Sequence, residues 1–584
     1  MKHHIEKLLQ TALAKLQQQG QLSIIPASIQ VEATKDKKNG DFASNVAMVL
    51  AKPLQKNPRD IANSIIQALP ESAYFTKVDI AGPGFINFFL SPSAFYEVVK
   101  EILQAKNHYG RCQISQNKRV MLEFVSSNPT GPLHVGHGRH AAYGDILANL
   151  LEAIGFMVQR EYYVNDAGRQ MDILATSLWL RYLELYQEAI IFPANGYQGD
   201  YLREIAHAVQ QKYAKQFVVS AQAIFQNLPL DEPAGGDKEL YIDAVIERAK
   251  TLLGDNYPLV LNAGLEAIMA DIREDVSEFG VHFQIWFSER QLVQSGAVNK
   301  VIEKLRQENY LYEREGALWF RSTDFGDEKD RVLVRSNGQH TYFANDIAHH
   351  LNKFDEGIDL AMVVLGADHH GYIARVKAAV RAYGIDPERF ICPLVQFVKL
   401  YRGEQPVPMS TRGGNFVTLR ELRKEVGNDA ARFFYVMRKC EQPMDFDLEL
   451  AKSQSNENPV YYVQYAHARI CSVFKQVAER GMAYDEAQGI ENVALLSGPS
   501  ERELINTLSH YPDMIIHAAI HYEPHLLTHY LRELATHFHA YYNACQFIVE
   551  DNRLRNARLS LVAASKQVLV NGLNLLGVTA LDSM

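Results

Sequence analysis

Apolar and polar residues follow one another with a spacing that changes along the chain, and each spacing predicts an element. In residues 1–19 apolar side chains recur every three or four positions, which predicts an amphipathic helix that ends at Gly20. Residues 78–90 hold two short apolar runs around a Gly-Pro-Gly turn, which predicts a pair of strands. We therefore expect residues 1–112 to form an α+β domain.

A second pattern begins near residue 113. The apolar run 120–125 has the length and the β-branched character of a strand, and the Asn-Pro-Thr-Gly-Pro of residues 128–132 then interrupts regular structure. From His134 onward apolar residues return at helical spacing. A strand, a tight loop and a helix start form the arrangement in which α/β folds bind phosphate, because the first N–H groups of a helix lack intrahelical partners.

The segments after residue 170 first continue this α/β pattern and then change to an all-helical one. Residues 171–285 are mostly helical and predict an insertion, whereas the apolar run 361–365 predicts a buried parallel strand that ends in a polar loop. After residue 455 the spacing is helical to the end of the chain. The patterns predict an α/β domain over residues 113–455 and an all-α domain over residues 456–584.

Composition limits the classes of function. A chain of 584 residues is too long for a single core, which agrees with several domains. No apolar run approaches the roughly 20 residues that span a bilayer, and the N-terminus lacks the apolar core of a signal peptide, so we expect a cytoplasmic protein with no membrane partner. The net charge of −9 argues against nonspecific binding of nucleic acid over the whole surface, but not against a local basic groove.

His134 and His137 are the first candidates for chemistry. They are three residues apart in the first turn of the predicted helix and therefore share a face. Two imidazoles beside a helix N-terminus can donate hydrogen bonds to a phosphate whose charge grows in a transition state. Gly136 between them has no Cβ, so a flat base could pack against the backbone there. The alternative is that the two histidines only cap or pack the end of the helix.

Carboxylates form a second group of candidates. Tyr342 and Asp346 are four residues apart and share a face if a helix starts there. Asp346 could be an acid on a helix surface, or it could form an anionic pocket together with Glu123. Such a pocket suits a guanidinium group, which is planar, always charged and best bound by carboxylates in bidentate geometry.

We predict no metal site. Asp368, His369 and His370 could ligate a metal, but adjacent histidines on one loop are poor chelators and no further ligand has a suitable spacing. The five cysteines lie far apart and include no Cys-x-x-Cys pair, so they suggest neither a disulfide framework nor a structural zinc site.

The residues Asn-Pro-Thr-Gly-Pro-Leu-His-Val-Gly-His at 128–137 resemble the HIGH signature of class I aminoacyl-tRNA synthetases, in the form that arginyl-tRNA synthetases use. The chain is similar to that family also in its Tyr-x-x-x-Asp at 342–346, its Gly-Ala-Asp-His-His at 366–370 and its helical end. The resemblance implies a Rossmann-like class I catalytic domain, an N-terminal α+β domain that touches the corner of the tRNA and a C-terminal all-α anticodon-binding domain.

The resemblance also implies roles for individual residues. His134 and His137 would act in catalysis, whereas Gly136, Asp368 and His369 would bind ATP. The residues that would bind arginine are Glu123, Asn128, Tyr342 and Asp346. The residues that would contact bases of the anticodon loop are Tyr461, Tyr465, Arg469 and Arg555, although a helix bundle needs such aromatic residues in any case. Phosphate contacts in the N-terminal domain would come from Lys35, Lys37 and Lys38, for which a solvated charge run is the alternative.

Residues 407–419 resemble the KMSKS loop of the same family. Met409, Ser410 and Arg412 fit its pattern, and the resemblance assigns Met409 to ATP binding and the other two residues to catalysis. The glycines that follow would let the loop open and close. A plain surface loop is the alternative.

The loop departs from the family pattern where a cation is needed. Pro408 and Thr411 stand at the positions of its two lysines, and Gly131 stands where some arginyl enzymes have a compensating lysine. Because charge develops on the leaving pyrophosphate, a cation close to it should lower the barrier. We expect Arg412 to supply this cation, with Lys399 or Arg402 in reserve.

The resemblance implies an arginine–tRNA ligase whose substrates are L-arginine, ATP with Mg²⁺ and tRNA(Arg), and which works as a monomer. Magnesium would accompany ATP without a dedicated protein site. Two enzyme alternatives are a different synthetase specificity and a small-molecule nucleotidylyltransferase, and both fit the Glu123–Asp346 pair and the helical C-terminal domain poorly. A tRNA-binding relative without catalysis is the third alternative, and the intact His-x-Gly-His argues against it.

Overall fold

The N-terminal region of the computed structural model is an antiparallel sheet covered by helices. The structure describes residues 2–26, 28–34, 36–72, 74–407 and 416–584. The elements of this region are α1 (Lys2–Gln18), β1 (Val31–Ala33), β2 (Phe42–Ser44), α2 (Val46–Leu54), α3 (Pro58–Ala68), β3 (Phe75–Ala81) and β4 (Phe85–Leu90). The strands have the order β1-β2-β4-β3, and the apolar face of α1 shares a separate hydrophobic core with them. The predicted helix and strand pair are both present.

The lysines expected to contact tRNA phosphates lie in this region. Lys35 is outside the described residues, and the backbone of Lys37–Asn39 forms a short 3-10 turn. The side chain of Lys38 is exposed on this turn. Their contact with phosphate stays a prediction.

The central region begins with a helix and continues as an α/β fold. Its elements are α4 (Pro92–Ala105), β5 (Arg119–Glu123), α5 (Val135–Ala153), β6 (Met157–Val164), α6 (Arg169–Glu184), α7 (Tyr201–Tyr213), α8 (Ala221–Phe225), α9 (Lys238–Leu253), α10 (Tyr257–Glu278), β7 (Ile285–Ser288), α11 (Glu289–Gln294), α12 (Ala297–Gln307), β8 (Leu311–Arg314), β9 (Ala317–Phe320), β10 (Arg331–Val334), α13 (Tyr342–Asp355), β11 (Leu360–Val363), β12 (Leu365–Gly366), α14 (His370–Ala382), β13 (Phe390–Ile391), β14 (Leu394–Val395), β15 (Val398–Arg402), β16 (Gln405–Pro406), α15 (Leu419–Val426), α16 (Asn428–Tyr435), β17 (Met444–Asp447) and α17 (Leu448–Lys452).

The main sheet of this region has the order β13-β11-β5-β6-β7, and all of its strand pairs are parallel. The chain moves from β5 outward to β7 and then returns to the other side of β5 with β11. The strand order therefore reverses between β5 and β11, which is where open α/β sheets bind ligands. This sheet confirms the predicted α/β fold class.

Alternation along the strands separates two cores. Val120 and Leu122 of β5 belong to a core that continues into the C-terminal helices, whereas Ala361 and Val363 of β11 belong to a core with α13 and α14. Successive side chains of a strand point to opposite faces, so Glu123 points toward α13. The face of the sheet to which Glu123 points thus follows from the alternation of side chains along β5.

The helical insertion lies between β6 and β7 and consists of α6 to α10. A small antiparallel sheet, β10-β9-β8, follows it. The predicted Asn337-Gly338 turn is present, with the Arg335 N–H bonded to the Gln339 carbonyl at 2.8 Å, but it leads to a single bridge at His340 rather than to a second strand.

The C-terminal region consists of helices, as predicted. They are α18 (Pro459–Glu479), α19 (Glu486–Glu491), α20 (Pro499–Ser509), α21 (Tyr511–Ile520), α22 (His525–Ala544) and α23 (Asn552–Leu576). Helix α4 packs against α20 and α23, and Tyr96 of α4 donates a hydrogen bond to the Leu496 carbonyl at 2.6 Å. A segment that we assigned to the N-terminal domain therefore contacts the C-terminal bundle.

Helix α23 differs from the sequence-based expectation about membranes. Within the described part of the chain, it is the helix that is long and apolar enough to cross a bilayer. Most of its apolar stretch is buried in the C-terminal bundle, where Leu561, Val568 and Leu573 are inaccessible to solvent. Its apolar character is accounted for by this packing.

Candidate active site

A cavity of about 980 Å³ opens where β5 and β11 end and where α5 begins. Most of the residues that the sequence analysis assigned to catalysis, ATP or arginine line it. They are Glu123, Asn128, His134, Gly136, His137, Asp346, Asp368 and His369. The fold thus brings the expected phosphate, arginine and nucleotide residues to one site.

The two signature histidines cap the first turn of α5. Nδ1 of His134 accepts the Gly136 N–H at 3.0 Å, and Nδ1 of His137 accepts the His134 N–H at 3.2 Å. The rings stack with their centroids 3.6 Å apart. Because each Nδ1 is an acceptor, a neutral ring carries its proton on Nε2, which remains available as a donor.

Burial keeps these imidazoles neutral. It lowers the pKa of His134, and it holds the pKa of His137 well below its usual range with help from the neighbouring His134 and His140. The pKa of His140, one turn further along α5, falls to about 4 for the same reason. The histidines therefore both cap the helix and offer neutral N–H groups to the cavity.

Gly136 has a different neighbour from the one we expected. A Cβ at this position would lie 2.9 Å from Cε1 of His134, because the His134 ring folds back to cap the helix. The space above Gly136 is therefore filled by this imidazole and not left for a flat base. The close approach of the ring still requires glycine.

The turn between β5 and the signature loop is strained. Val125 and Ser126 have φ values of +68° and +40°, a region that β-branched residues rarely adopt. The Ser126 N–H bonds to the Phe124 carbonyl at 3.0 Å, and the Ser126 hydroxyl donates to Glu123 Oε1 at 3.2 Å. This tight turn directs Ser127 and Asn128 into the cavity.

Asn128 is held in place from the neighbouring strand. Its Oδ1 accepts a hydrogen bond from Asn165 Nδ2 at 3.0 Å, and Asn165 follows β6 in the Asn-Asp-Ala-Gly turn. Tyr162 of β6 donates to the Ser127 carbonyl at 3.1 Å. The signature loop thus depends on β6 for its position.

Glu123 does not present a free carboxylate to the cavity. Its Oε2 lies 2.9 Å from Lys353 Nζ and 3.1 Å from His349 Nε2, and all three side chains are buried. Although burial opposes ionisation, Lys353 and His349 hold the pKa of Glu123 well below its usual range. The expected pair of free carboxylates, Glu123 with Asp346, is therefore not present, because Lys353 and His349 already bind the carboxylate of Glu123.

Asp346 is the acid without a partner. Its carboxylate lines the cavity and makes no hydrogen bond or ion pair with another residue of the described part of the chain. Burial raises the pKa of Asp346 to about 7, with support from the charges of Glu289 and Glu123 and opposition from His349. A cationic group that enters the cavity would relieve this cost of ionisation.

Glu289 lies close to Asp346 and was missed by the sequence analysis. It is the first residue of α11 and is buried, and its Oε1 accepts a hydrogen bond from Asn345 Nδ2 at 3.0 Å. Burial raises the pKa of Glu289 as well. Its sequence context is an ordinary helix N-terminus, which gave no signal of this proximity.

Tyr342 lies outside the cavity. It is the first residue of α13, and 58% of it is exposed. Its hydroxyl approaches Gly168, where a Cβ would lie 3.0 Å from it. The spacing of Tyr342 and Asp346 predicted a shared face, but only Asp346 lines the cavity, and the contact of Tyr342 with arginine stays a prediction.

Asp368 and His369 also line the cavity, and both are exposed to solvent. Their side chains are 68% and 53% exposed, and they are 3.8 Å apart. Behind them the Tyr372 hydroxyl lies 2.8 Å from His350 Nε2. Tyr372 also lines the cavity, and the sequence analysis did not select it.

The KMSKS-like loop falls outside the described residues. Met409, Ser410 and Arg412 belong to residues 408–415, so their assigned roles stay predictions. The segment that follows the loop is anchored to the signature block, because the Val135 N–H bonds to the Val417 carbonyl and the Leu419 N–H to the Leu133 carbonyl. The loop therefore ends beside His134.

The reserve cations do not face the cavity. Arg402 is held by Glu425 at 2.6 Å and by Glu449 at 3.1 Å, and Lys399 is exposed on β15. Arg139 follows the signature block but is buried away from the cavity, bonded to three backbone carbonyls. Among the described residues, no lysine or arginine lines the cavity.

Three of the four residues selected for anticodon contact form one partly exposed row. Tyr461 and Tyr465 stack on α18 with their centroids 6.0 Å apart, and the Arg469 guanidinium lies 4.6 Å from the centre of the Tyr465 ring. The same guanidinium lies 4.7 Å from the Tyr542 ring of α22. Such a row offers flat surfaces for unpaired bases.

Arg555 is not available for a base. It is buried, and its guanidinium donates to the Val549 carbonyl at 3.0 Å, to the Glu550 carbonyl and to Asn552. Its assignment as an anticodon contact is therefore corrected. The physical reason is that Arg555 closes the loop that leads into α23.

Two groups of potential metal ligands occur among the described residues. Glu123, His349 and His350 form one, but the Lys353 ammonium bonded to Glu123 would repel a cation. His467, Cys471 and Asp582 form the other, in which the thiol lies 3.1 Å from Asp582 Oδ1 and His467 Nδ1 lies 2.8 Å from the Leu581 carbonyl oxygen. In both groups, ligand atoms are already engaged by contacts within the protein.

Two buried residues that the sequence analysis missed, His349 and Lys353, share a signal with Asp346 on α13. Asp346, His349 and Lys353 recur at spacings of three and four, so they lie on the helix face that meets the sheet. Polar residues at the core spacing of a helix indicate buried partners. Glu161 of β6 is one such partner, at 2.7 Å from Lys353 Nζ.

Known protein families match the chain along its length. Residues 3–90 match the arginyl tRNA synthetase N terminal domain, and residues 98–443 match the catalytic domain described as tRNA synthetases class I (R). Residues 463–584 match the DALR anticodon binding domain.

Curated relatives and a solved structure agree with these families. The chain is 56% identical to the arginine–tRNA ligase of Thioalkalivibrio sulfidiphilus and 53% identical to that of Coxiella burnetii, over the full length of both chains in each case. It superposes on the arginyl-tRNA synthetase of Thermus thermophilus with a TM-score of 0.73 and 24% identity, over all of both chains. This last similarity concerns the fold.

Proposed function

Because the chain belongs to the arginyl-tRNA synthetase family, we propose how its residues divide the work of the reaction. The chain is an arginine–tRNA ligase whose substrates are arginine, ATP and tRNA. The observation that supports the assignment best is the cavity itself, which joins the neutral His134–His137 pair to the unpartnered Asp346 carboxylate.

Asp346 and Glu289 bind the guanidinium of arginine in this proposal. Both carboxylates are buried with raised pKa values, so a bound cation stabilises their ionised forms. Asn128 offers an amide to the amino-acid end of the substrate at the mouth of the signature loop. Glu123 shapes the floor of the site and is not a direct ligand, since Lys353 occupies its carboxylate.

His134 and His137 stabilise charge on the ATP phosphates. The arginine carboxylate attacks the α-phosphate, which forms arginyl-adenylate and releases pyrophosphate. The neutral Nε2–H groups donate to phosphate oxygens as their charge grows, beside the positive end of α5. Asp368 and His369 lie where they can contact the nucleotide, and Mg²⁺ arrives with ATP as part of the substrate.

Transfer to tRNA completes the reaction. A hydroxyl of the terminal ribose attacks the adenylate carbonyl, and AMP leaves. Tyr461, Tyr465 and Arg469 contact the anticodon loop in this scheme, and their row of rings supports it. We also propose that the enzyme is a cytoplasmic monomer.

Arginine-dependent ATP–pyrophosphate exchange tests the assignment. The assay is run with and without total tRNA, with lysine and glutamate as controls. Exchange with arginine alone among these amino acids is expected. Exchange with another amino acid would mean that the carboxylate pocket has been misassigned.

Arg412 supplies the cation that the signature loop otherwise lacks. Arg412→Ala should lower the rate of adenylate formation about 10²-fold or more, because one stabilising contact to the developing charge is lost. The KM for arginine should change little. Lys424→Ala, an exposed lysine on α15, serves as the control. Near-normal exchange by Arg412→Ala would remove Arg412 from the mechanism.

A further inference from the structure

Four buried charged side chains under the arginine site have no part in the chemistry above. Lys353 Nζ lies 2.9 Å from Glu123 Oε2 and 2.7 Å from Glu161 Oε1. His349 Nε2 lies 3.1 Å from the same two oxygens. We call Glu123, Glu161, His349 and Lys353 the buried quartet.

The buried quartet connects three elements that carry the active site. Glu123 ends β5 and leads directly into the strained turn of the signature loop. Glu161 lies on β6, whose end positions Asn128 through Asn165. His349 and Lys353 lie on α13, one and two turns after Asp346. The quartet therefore links the helix that holds the arginine acid to the two strands that hold the loop for ATP.

The charges of the buried quartet balance. Burial opposes ionisation of both carboxylates, but Lys353 and His349 lower the pKa of Glu123 and of Glu161. Burial and Lys353 oppose protonation of His349, yet the two carboxylates raise the pKa of His349. With His349 protonated, which the two carboxylates favour, the two negative and two positive charges of the quartet sum to zero.

The contacts of Lys353 and His349 with Glu123 are hydrogen bonds and therefore directional, and short ion pairs hold Glu161 to the same two cations. The apolar residues of α13, such as Ile347 and Leu351, pack in the core shared with β11. Apolar packing tolerates small shifts of a helix along a sheet, whereas two carboxylates shared by one ammonium and one imidazole fix the helix at one position. A shift of α13 would move Asp346 relative to His134.

We propose that Lys353 and His349 are positioning residues for arginine activation. By holding Glu123 and Glu161 they set the distance between the bound arginine, at Asp346, and the ATP phosphates, at the signature loop. This inference rests on the proposed roles of Asp346 and His134. Arginine would still bind if α13 were displaced, but its carboxylate would approach the α-phosphate of ATP in the wrong geometry.

The test removes the ion pair between Lys353 and Glu161 without leaving an unpaired buried charge. Lys353→Met alone strands two buried carboxylates and should cost much stability. The double variant Glu161→Gln/Lys353→Met keeps Glu123 paired with His349 and has no net change in charge. Its folding is checked by urea denaturation, and kcat and both KM values are measured by arginine-dependent exchange with saturating tRNA.

We expect the double variant to fold and to lose roughly ten- to hundredfold in kcat, with the KM for arginine and the KM for ATP each within about threefold of the wild type. Lys353→Arg keeps the charge but changes its position, and it should also lower kcat. The matched control is Glu501→Gln/Arg558→Met, which removes the ion pair of the buried Glu501 with the half-buried Arg558 in the C-terminal bundle. It should leave kcat unchanged.

Three results would overturn the proposal. They are an unchanged kcat in the double variant, an equal loss in the control, and a raised KM for arginine at normal kcat, which would make the quartet part of arginine binding. Measurements on the wild-type enzyme distinguish a failure of this proposal from a failure of the proposed function. Absence of arginine-dependent exchange by the wild-type enzyme would count against the proposed function and not against the quartet.

Discussion

Asp346 shows how one residue can be costly to the fold and useful to the site. Its carboxylate is buried without a partner, so burial raises its pKa to about 7. Glu123 and Glu161 are buried too, but Lys353 and His349 pair with both. The fold therefore leaves Asp346, with Glu289 beside it, for a cation that comes from outside. Sites that bind charged substrates commonly hold such perturbed groups.

The pH dependence of arginine binding follows from this pKa. Below pH 7 Asp346 is protonated in the free enzyme and offers no charge to the guanidinium, so the KM for arginine should rise as the pH falls through 7. Asp346→Asn should raise the KM for arginine at least about thirtyfold at pH 8, because a buried charge pair loses one member. Its KM should vary less with pH. A wild-type KM that is flat from pH 6 to 8 would contradict this assignment.

The same substitution should stabilise the free protein. The pKa of Asp346 is higher in the folded chain than in the unfolded chain, so the folded state binds more protons, and stability falls as the pH rises from about 4 to about 7. Asp346→Asn removes this loss. Its melting temperature at pH 8 should therefore exceed that of the wild type, whereas the two proteins should melt alike near pH 4.

At the scale of elements, the insertion between β6 and β7 supports the signature loop. The hydroxyl of Tyr201, the first residue of α7, donates to the Thr130 carbonyl at 2.5 Å. Its ring covers Gly131, where a Cβ would lie 3.1 Å from the ring and from the hydroxyl. The insertion thus closes one side of the loop that carries Asn128.

Removal of the Tyr201 hydroxyl tests whether it supports the signature loop. Tyr201→Phe should lower kcat of exchange roughly three- to tenfold and leave the fold intact, because one hydrogen bond to the loop is lost. Tyr186→Phe is a matched control, since Tyr186 also donates to a backbone carbonyl, that of Ala214, at 2.5 Å but inside the insertion. Equal kcat values for the two variants would show that Tyr201 does not act on the loop.

At the scale of the whole molecule, the catalytic sheet and the C-terminal bundle form one continuous core. A buried arginine fixes their relative position. Arg432 of α16 bonds to Asp145 of α5 at 2.5 Å, to the Phe279 carbonyl at 2.9 Å and to the Leu576 carbonyl at the end of α23 at 2.8 Å. Gly577 has no Cβ that would collide with this guanidinium.

Loss of this arginine should destabilise the whole chain. Arg432→Met leaves Asp145 with Arg160 alone and two carbonyls unpaired, which should lower the free energy of unfolding by about 3–5 kcal/mol. Urea denaturation measures the change, and hydrogen exchange near residues 573–578 should show that the end of α23 opens first. Lys475→Met, from an exposed ion pair on α18, should have little effect. Similar stabilities of the two variants would contradict the role of Arg432.

The sequence by itself determined the features that depend on local spacing. The strand, loop and helix around His134, the order of the motifs and the helical end all follow from patterns within about 20 residues. These patterns also selected eight of the residues that line the cavity, because ends of parallel strands and helix starts meet at one edge of the sheet. The family resemblance supplied the reaction.

Only the tertiary structure decided which charges are free. Glu123 and Lys353 are 230 positions apart, and no local pattern shows that they meet. Local pattern also does not show that Glu289 lies beside Asp346, or that the guanidinium of Arg555 is hydrogen-bonded to the loop before α23. Whether a buried charge is neutralised depends on the elements packed against it. Sequence spacing therefore located the site, and packing assigned its charges.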